Sequence, residues 1–520
     1  MEEIKDIGAF SSKISERIWG HRFQASQRGP EYVLEFLNVL AGTEYSFQES
    51  FYFRKKQENF RKFVFEGSKE GSKKDKAKLN NDIQEILKNK IRGEEKIKDI
   101  QSFLRNLEVP LVNNDGKLAD RSWYAKSLYP LHESLLFFEV RVKNGDVSYE
   151  RNFYARGGEL YFLMIKGGTS NHPERRRFIE QRFKELLNEN KTIYKFVSNL
   201  SKILDTNTEY IVPKKEYSLE VENSGKESPV LPEKECLLYE TFAEELERIL
   251  KLNIDIYEMF KFLTSLISFQ LLRYMLYRAD DSKTQKFFVD CLDTEVKPIL
   301  KLSNDSFIEN ENLIKIKFDN EFNEFYMNVM KQNYSEKNLK EWIENKNTKN
   351  HPLLKMLGVT KLSEERKKQI LKVTGSCSSK SELNQKLYPV VKDMISDQLK
   401  RSKLNILRTL VKDGGVGGYR AGSKYRYHFS DIFVQTLVYS NLEPKQQIEF
   451  RSFLELIFNN YGIIIGDREA IKSYIYEKSG INIKYFKNNE NAIRLKMKQN
   501  GLLTEYSDAT AMIINPYQNR

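Results

Sequence analysis

Cysteine is scarce. Cys236, Cys291 and Cys377 are the three in 520 residues. They are odd in number, far apart and without CxxC spacing, which argues against a disulfide framework and a thiolate zinc site. A reducing cytoplasm is the expected setting. Histidine is equally thin: His21, His132, His172, His351 and His428 stand alone, with no HExxH pair, no metal-ligand spacing and no RxxxxH ribonuclease pattern. No metal or cofactor is therefore expected. Long apolar runs are also missing. The most apolar helix candidate, Phe260 to Leu276, is interrupted by Lys261, Gln270 and Arg273, whereas a membrane span needs about 20 nearly uninterrupted apolar residues. The opening MEEIKDIGAF has neither the basic nor the apolar block of a signal peptide. GxSxG, a Cys/His nucleophile arrangement and the phosphate-binding GxxxxGK[ST] are all absent. An enzyme with its own catalytic centre is not the expectation.

What is present is bulk, charge and aromatic side chains. Apolar residues make up 40% and charged residues 30%, enough apolar surface to offset chain entropy. The length exceeds the roughly 250 to 300 residues at which one core stops growing, so several domains are expected. Phe (33) and Tyr (28) far outnumber Trp (3), a bias that an AT-rich genome explains as well as function does. Net charge is +12, a field that draws polyanions. The last 120 residues hold 18 Lys and Arg against 11 Asp and Glu, a surplus of seven.

Along the chain, Val33, Leu34, Phe36, Leu37 and Leu40 have helical spacing behind Pro30. Ser68 to Lys78 reads as a solvated basic loop rather than a DNA-binding arm, with a surface helix after it. Leu135 to Val142 and Val147 to Tyr154 are apolar runs separated by Lys143-Asn144-Gly145-Asp146, a hairpin signal. Leu160 to Ile165 fits a third strand or a short helix. A helix opens at Pro173 with Phe178, Ile179, Phe183, Leu186 and Leu187 on its inner stripe. Pro213, Pro229 and Pro232 mark a boundary, and the text from Leu237 to about Leu410 is helical in period without internal repeat. The expected fold is α+β and predominantly α-helical: a mixed α/β N-terminal domain over 1–210, a linker over 211–235, a helical domain over 236–405 and a basic winged-helix-like domain over 406–520.

The densest chemical feature is Asp413 to His428, in which five glycines accompany Arg420, Lys424 and Arg426, interleaved with Tyr419, Tyr425 and Tyr427. Such a loop can grip phosphates and stack bases, or it can be a glycine hairpin whose tyrosines pack a core. Downstream come helices at Phe450 to Tyr461, Arg468 to Ser479 and Asn488 to Asn500, then two strands, Leu502 to Tyr506 and Ala509 to Ile514, around Ser507-Asp508. That order is the winged-helix arrangement. Asn491, Arg494 and Lys498 share one face of its last helix, a candidate recognition surface. For a metal nuclease, Glu139-Val140-Arg141 offers Arg where Lys is wanted, and Asp290, Asp293 and Glu295-Val296-Lys297 have the spacing within helical text.

The segments Tyr419-Arg420-Ala421-Gly422, Ser430-Asp431, Tyr461-Gly462-Ile463, Gly501-Leu502-Leu503, Ser507-Asp508-Ala509 and Asn515-Pro516 resemble uncharacterised accessory proteins of multigene prokaryotic anti-phage defence systems, over the last quarter of the chain. The resemblance implies a subunit acting beside an ATPase, helicase, methyltransferase or nuclease, and it carries over no catalytic residue. The sequence therefore points to an accessory subunit that contacts nucleic acid, DNA in particular, through Arg420, Lys424, Arg426, Asn491, Arg494 and Lys498. The competing readings are a protein adaptor that never touches nucleic acid, marked by an apolar exposed face on the last helix, and a metal-dependent nuclease.

Overall fold

A computed structural model describes residues 14–520 apart from 22, 24–26, 53, 56, 71–75, 92, 113–116, 120–125, 137–140, 144–145, 149–155, 206–209, 212–228, 234–235, 283–284, 333–334, 346–350, 358–362, 420–423 and 507–509. Several of its helices are apolar on every side rather than along one stripe, so they must lie inside. Helix α1 (Gly29–Gly42) opens with Pro30 in its first turn and with the Glu31 carboxylate accepting the Arg28 backbone N–H at 2.8 Å. Tyr32, Val33, Phe36, Leu37 and Leu40 are all buried. Helix α2 (Gly157–Gly168) crosses it at Gly158, where a Cβ would stand 2.4 Å from the Tyr32 carbonyl oxygen and 2.7 Å from the Phe36 nitrogen. Only glycine lets the two backbones meet there. Leu160 to Ile165 is thus helix, and its pattern was ambiguous because a segment buried all round carries no period. In α3 (Pro173–Asn188), Ile179, Phe183, Leu186 and Leu187 are buried, while Phe178 is only partly so.

Helices α4 (Leu237–Leu250) and α5 (Ile256–Ala279) follow. The α5 helix is the hub. It packs on α1 and α4 and, from later in the chain, on α6 (Lys297–Gln332), α7 (Lys380–Asp413) and α8 (Asp431–Asn441). The polar residues that break its apolar text are used inside: Gln270 donates to Glu245 at 2.7 Å, and Arg273 pairs with the same carboxylate at 2.7 Å. The Arg273 guanidinium also lies 4.5 Å from the Tyr461 ring centroid, so the buried charge is met on several sides. Among the described residues no helix is long and apolar enough to cross a membrane.

Strands are few and short. Arg141–Lys143 pairs antiparallel with Asp146–Ser148, while Asn144, Gly145 and residues 137–140 and 149–154 of the two expected runs lie outside the described residues. The loop Ser68 to Lys78 has residues 71–75 outside the described set, and its ends are closed: Lys69 and Lys76 form an antiparallel bridge, and Ala77 and Leu79 enter a satellite core with Phe60, Leu87, Leu104 and Leu200. Strand β1 (Phe287–Phe288) links α5 to α6.

The molecule is α+β and predominantly helical, and its main core does not divide at 211–235 or between 405 and 406. One apolar cluster runs from Ile14 through Phe269 to Ile513. The far end of the expected linker is fastened, with the Val230 N–H donating to the Gly20 carbonyl at 2.8 Å.

After α7 the chain makes a hairpin of β2 (Gly417–Gly418) and β3 (Arg426–Tyr427), then α8, β4 (Gln447–Glu449), α9 (Phe450–Tyr461) and β5 (Ile463–Ile464). Helices α10 (Asp467–Lys472), α11 (Ile475–Ser479) and α12 (Ile483–Gln499) lead into β6 (Leu503–Glu505) and β7 (Ala511–Ile514). The antiparallel sheet has the order β6-β7-β4. The helices are thus followed by a strand pair that closes on an earlier strand. Three details differ from the sequence expectation. The stretch between the helices expected at Phe450 to Tyr461 and Arg468 to Ser479 holds a strand, since β5 pairs in parallel with β1. The helix expected over Arg468 to Ser479 breaks at Tyr474, whose φ is 61°. The last helix begins at Ile483, not Asn488.

Candidate nucleic-acid interface

The glycine-rich stretch is a packed hairpin. Gly415 has φ +73° and faces the Ser430 hydroxyl, and a Cβ on Gly417 would stand 2.3 Å from the Arg426 carbonyl oxygen, so both positions need glycine. Tyr427 is fully buried, and its hydroxyl accepts from Asn310 at 2.9 Å. Burial pushes its pKa well up. Tyr425 stacks on Phe307 with ring centroids 5.3 Å apart, under the Arg408 guanidinium. Tyr419 is exposed beside it.

Arg426, expected to contact phosphates, cannot. Its side chain is 0% exposed, with Nε 2.9 Å from Asp290 and an Nη 3.3 Å from Asp293. A buried arginine answered by carboxylates stays with them, because stripping the pair leaves an unpaired buried charge. The same contact bears on the nuclease reading: Asp290 and Asp293 converge on Arg426 rather than on a pocket, and Asp290 also accepts the backbone N–H groups of Leu292 and Thr294. Among the described residues no group of three or more His, Cys, Asp or Glu is placed to hold a metal. Of the other two cations in the loop, Lys424 is exposed and Arg420 lies outside the described residues.

Helix α12 is where exposed polar groups gather. Asn482 caps it, accepting the Lys484 N–H at 2.9 Å. Its inner stripe is Phe486, Asn489, Ile493 and Met497, with Phe486 in a small core with Phe288, Ile299, Ile464 and Ala470. Asn489 fixes the helix in place. Its amide donates to the carbonyls of Val289 (2.8 Å) and Ile465 (3.0 Å) and accepts the Cys291 N–H (2.8 Å), tying α12 to the ends of both β1 and β5. Nearby, burial lifts the carboxyls of Glu469 and Glu490 above their ordinary range.

Opposite that stripe, the rows three and four apart place Lys484, Asn488, Asn491, Leu495 and Lys498 along the outward side. Asn491 is exposed and Leu495 is 60% exposed. Arg494 and Lys498 are brought together by a residue the sequence reading missed: both pair with Glu505 on β6, at 3.1 and 2.6 Å. The hydrogen bond from Lys498, ahead of the other charges, holds the Glu505 carboxyl below its ordinary range. Arg494 and Lys498 therefore lean toward the strand pair, leaving Asn491 and Leu495 facing out. Apart from Leu495 and Tyr485, the outward face of α12 is polar or basic, so the apolar face that an adaptor would show is present only in part. Extending the helical period back to Asn482 would have revealed Lys484 and Phe486, whereas Glu505 could be found only once β6 was set beside α12. Comparison of the chain with models of known families, with curated proteins and with solved structures gives no match.

Proposed function

We propose that the chain is a nucleic-acid-binding accessory subunit of a multiprotein prokaryotic system of the anti-phage kind, meeting duplex DNA with the outward side of α12 and the β6–β7 pair. The observation that carries this reading is an uncovered helix side, basic at both ends, placed beside a strand pair where a winged helix presents its recognition helix. The charge surplus of the last 120 residues favours a polyanion there. Chemistry would come from a partner such as an ATPase, helicase, methyltransferase or nuclease, and the three unpaired thiols suit a reducing cytoplasm.

Fluorescence anisotropy of the full chain with duplex DNA at two salt concentrations tests the reading. Binding is expected to weaken steeply with salt, and Lys484→Gln/Lys498→Gln is expected to flatten the slope by about two, since each phosphate contact contributes roughly 0.9. Absence of duplex binding, or binding indifferent to salt, would favour the adaptor reading. Its support is the exposure of Leu495 and Tyr485 on α12.

A further inference from the structure

Resting on that reading, we infer that α12 reads A·T base pairs in the major groove, with Asn491 on an adenine edge and Leu495 against a thymine methyl. Three observations converge. The first is placement. Asn491 and Leu495 are one helical turn apart on the outward side of a 17-residue helix, and about 6 Å of rise between them matches roughly two base steps at ~3.4 Å each. Lys484 and Lys498 bracket them over ~21 Å at ~1.5 Å per residue, far enough apart to reach the phosphates on either side of a groove about 12 Å wide.

The second is chemistry. An Asn side chain accepts from adenine N6–H and donates to N7, a two-bond match that guanine cannot offer, and an apolar side chain packs on the thymine 5-methyl group. Asn491 is exposed, and its side chain has no hydrogen-bond partner among the described residues, while Asn488, one turn back, is half-buried. Leu495 is 60% exposed on an otherwise polar side of the helix.

The third is what has been withdrawn. Guanine presents two acceptors, O6 and N7, and is read by Arg or Lys. Arg494, the one cation in the sequence between Asn491 and Leu495, is paired with Glu505 on β6 at 3.1 Å. Lys487, one turn before Asn491, stands 3.9 Å from Asp467, so the stretch between the two reading residues offers the groups that suit adenine and thymine, with its own cation engaged by the neighbouring strand.

The experiment uses the full chain and four labelled duplexes of one length: an A·T-rich duplex, a G·C-rich duplex, and two versions of the A·T-rich duplex, one carrying 7-deazaadenine for adenine and one deoxyuridine for thymine. Those analogues remove N7 and the 5-methyl group and leave the minor groove unchanged. The A·T-rich duplex is expected to bind roughly five- to a hundredfold more tightly than the G·C-rich one, the range of a two-bond base contact. The 7-deazaadenine duplex is expected to weaken wild type but not Asn491→Ala, and the deoxyuridine duplex to weaken wild type but not Leu495→Ala. Equal, salt-sensitive binding to A·T and G·C duplexes, or analogue losses that persist in full in the two variants, would overturn the base reading while leaving DNA binding standing. No binding to any duplex at low salt would overturn both.

Discussion

Arg426 and Arg494 are both arginines in basic stretches, yet one is sealed against Asp290 and Asp293 and the other leans from the surface onto Glu505. The difference is burial. Removing Arg426 leaves Asp290 charged in a site with no exposure, so Arg426→Ala is expected to destabilise the protein by about 3–5 kcal/mol. A urea melt measures this, and the DNA affinity of the folded fraction should be unchanged. A second prediction at this scale concerns pH. Glu490 sits above its ordinary range because burial outweighs the pull of Arg451, with Asp467 and Glu469 adding to the rise. A carboxyl whose folded pKa is raised binds its proton more tightly in the native state. It therefore favours folding at low pH, and that contribution is lost as pH climbs from the ordinary carboxylate range through the raised value. Glu490→Gln should gain stability relative to wild type on going from about pH 5 to about pH 7 in paired denaturant melts. A constant difference between the two proteins would show that Glu490 does not titrate differently in the folded state.

At the scale of the element, α12 is a helix whose position is set by Asn489 and whose charge is set by a neighbouring strand. Helical period made its inner stripe legible, since Ile493 and Met497 are buried as expected. The period is silent about Glu505, because the contact joins a helix to a strand and depends on the path of the chain through Asn500 and Gly501. Glu505→Gln removes the carboxylate that engages Arg494 and Lys498. Duplex affinity is expected to rise by roughly three- to tenfold at low salt with a steeper salt slope, as Arg494 and Lys498 lose a carboxylate that competes with phosphates for them. The A·T preference should narrow at the same time. Anisotropy on the same duplexes reads both effects, and unchanged affinity would mean that the freed cations do not face the DNA.

Across the whole molecule, α5 joins parts that the sequence divides. It touches α1 near the start of the chain and α8 near its end, and β5 of the C-terminal part completes its pairing on β1. Residues 406–520 expressed alone would expose the α8 face that α4 and α5 cover and would leave β5 without a partner. That fragment is expected to lack a cooperative thermal transition by circular dichroism, whereas the full chain should show one in which the main core melts as a unit. A sharp transition in the fragment would show that residues 406–520 are self-sufficient.

The sequence by itself determined the helical character of the chain, the pairing of Arg141–Lys143 with Asp146–Ser148 and the strand pair that follows the last helix. These follow from local periodicity and turn chemistry, which each short window carries complete. Whether Leu160 to Ile165 was strand or helix, whether Arg426 faced water or Asp290, and which partner held Arg494 and Lys498 were decided by the tertiary structure alone. In each case the outcome depends on burial against residues far away in the chain, and charge in a sequence carries no information about the dielectric that will surround it.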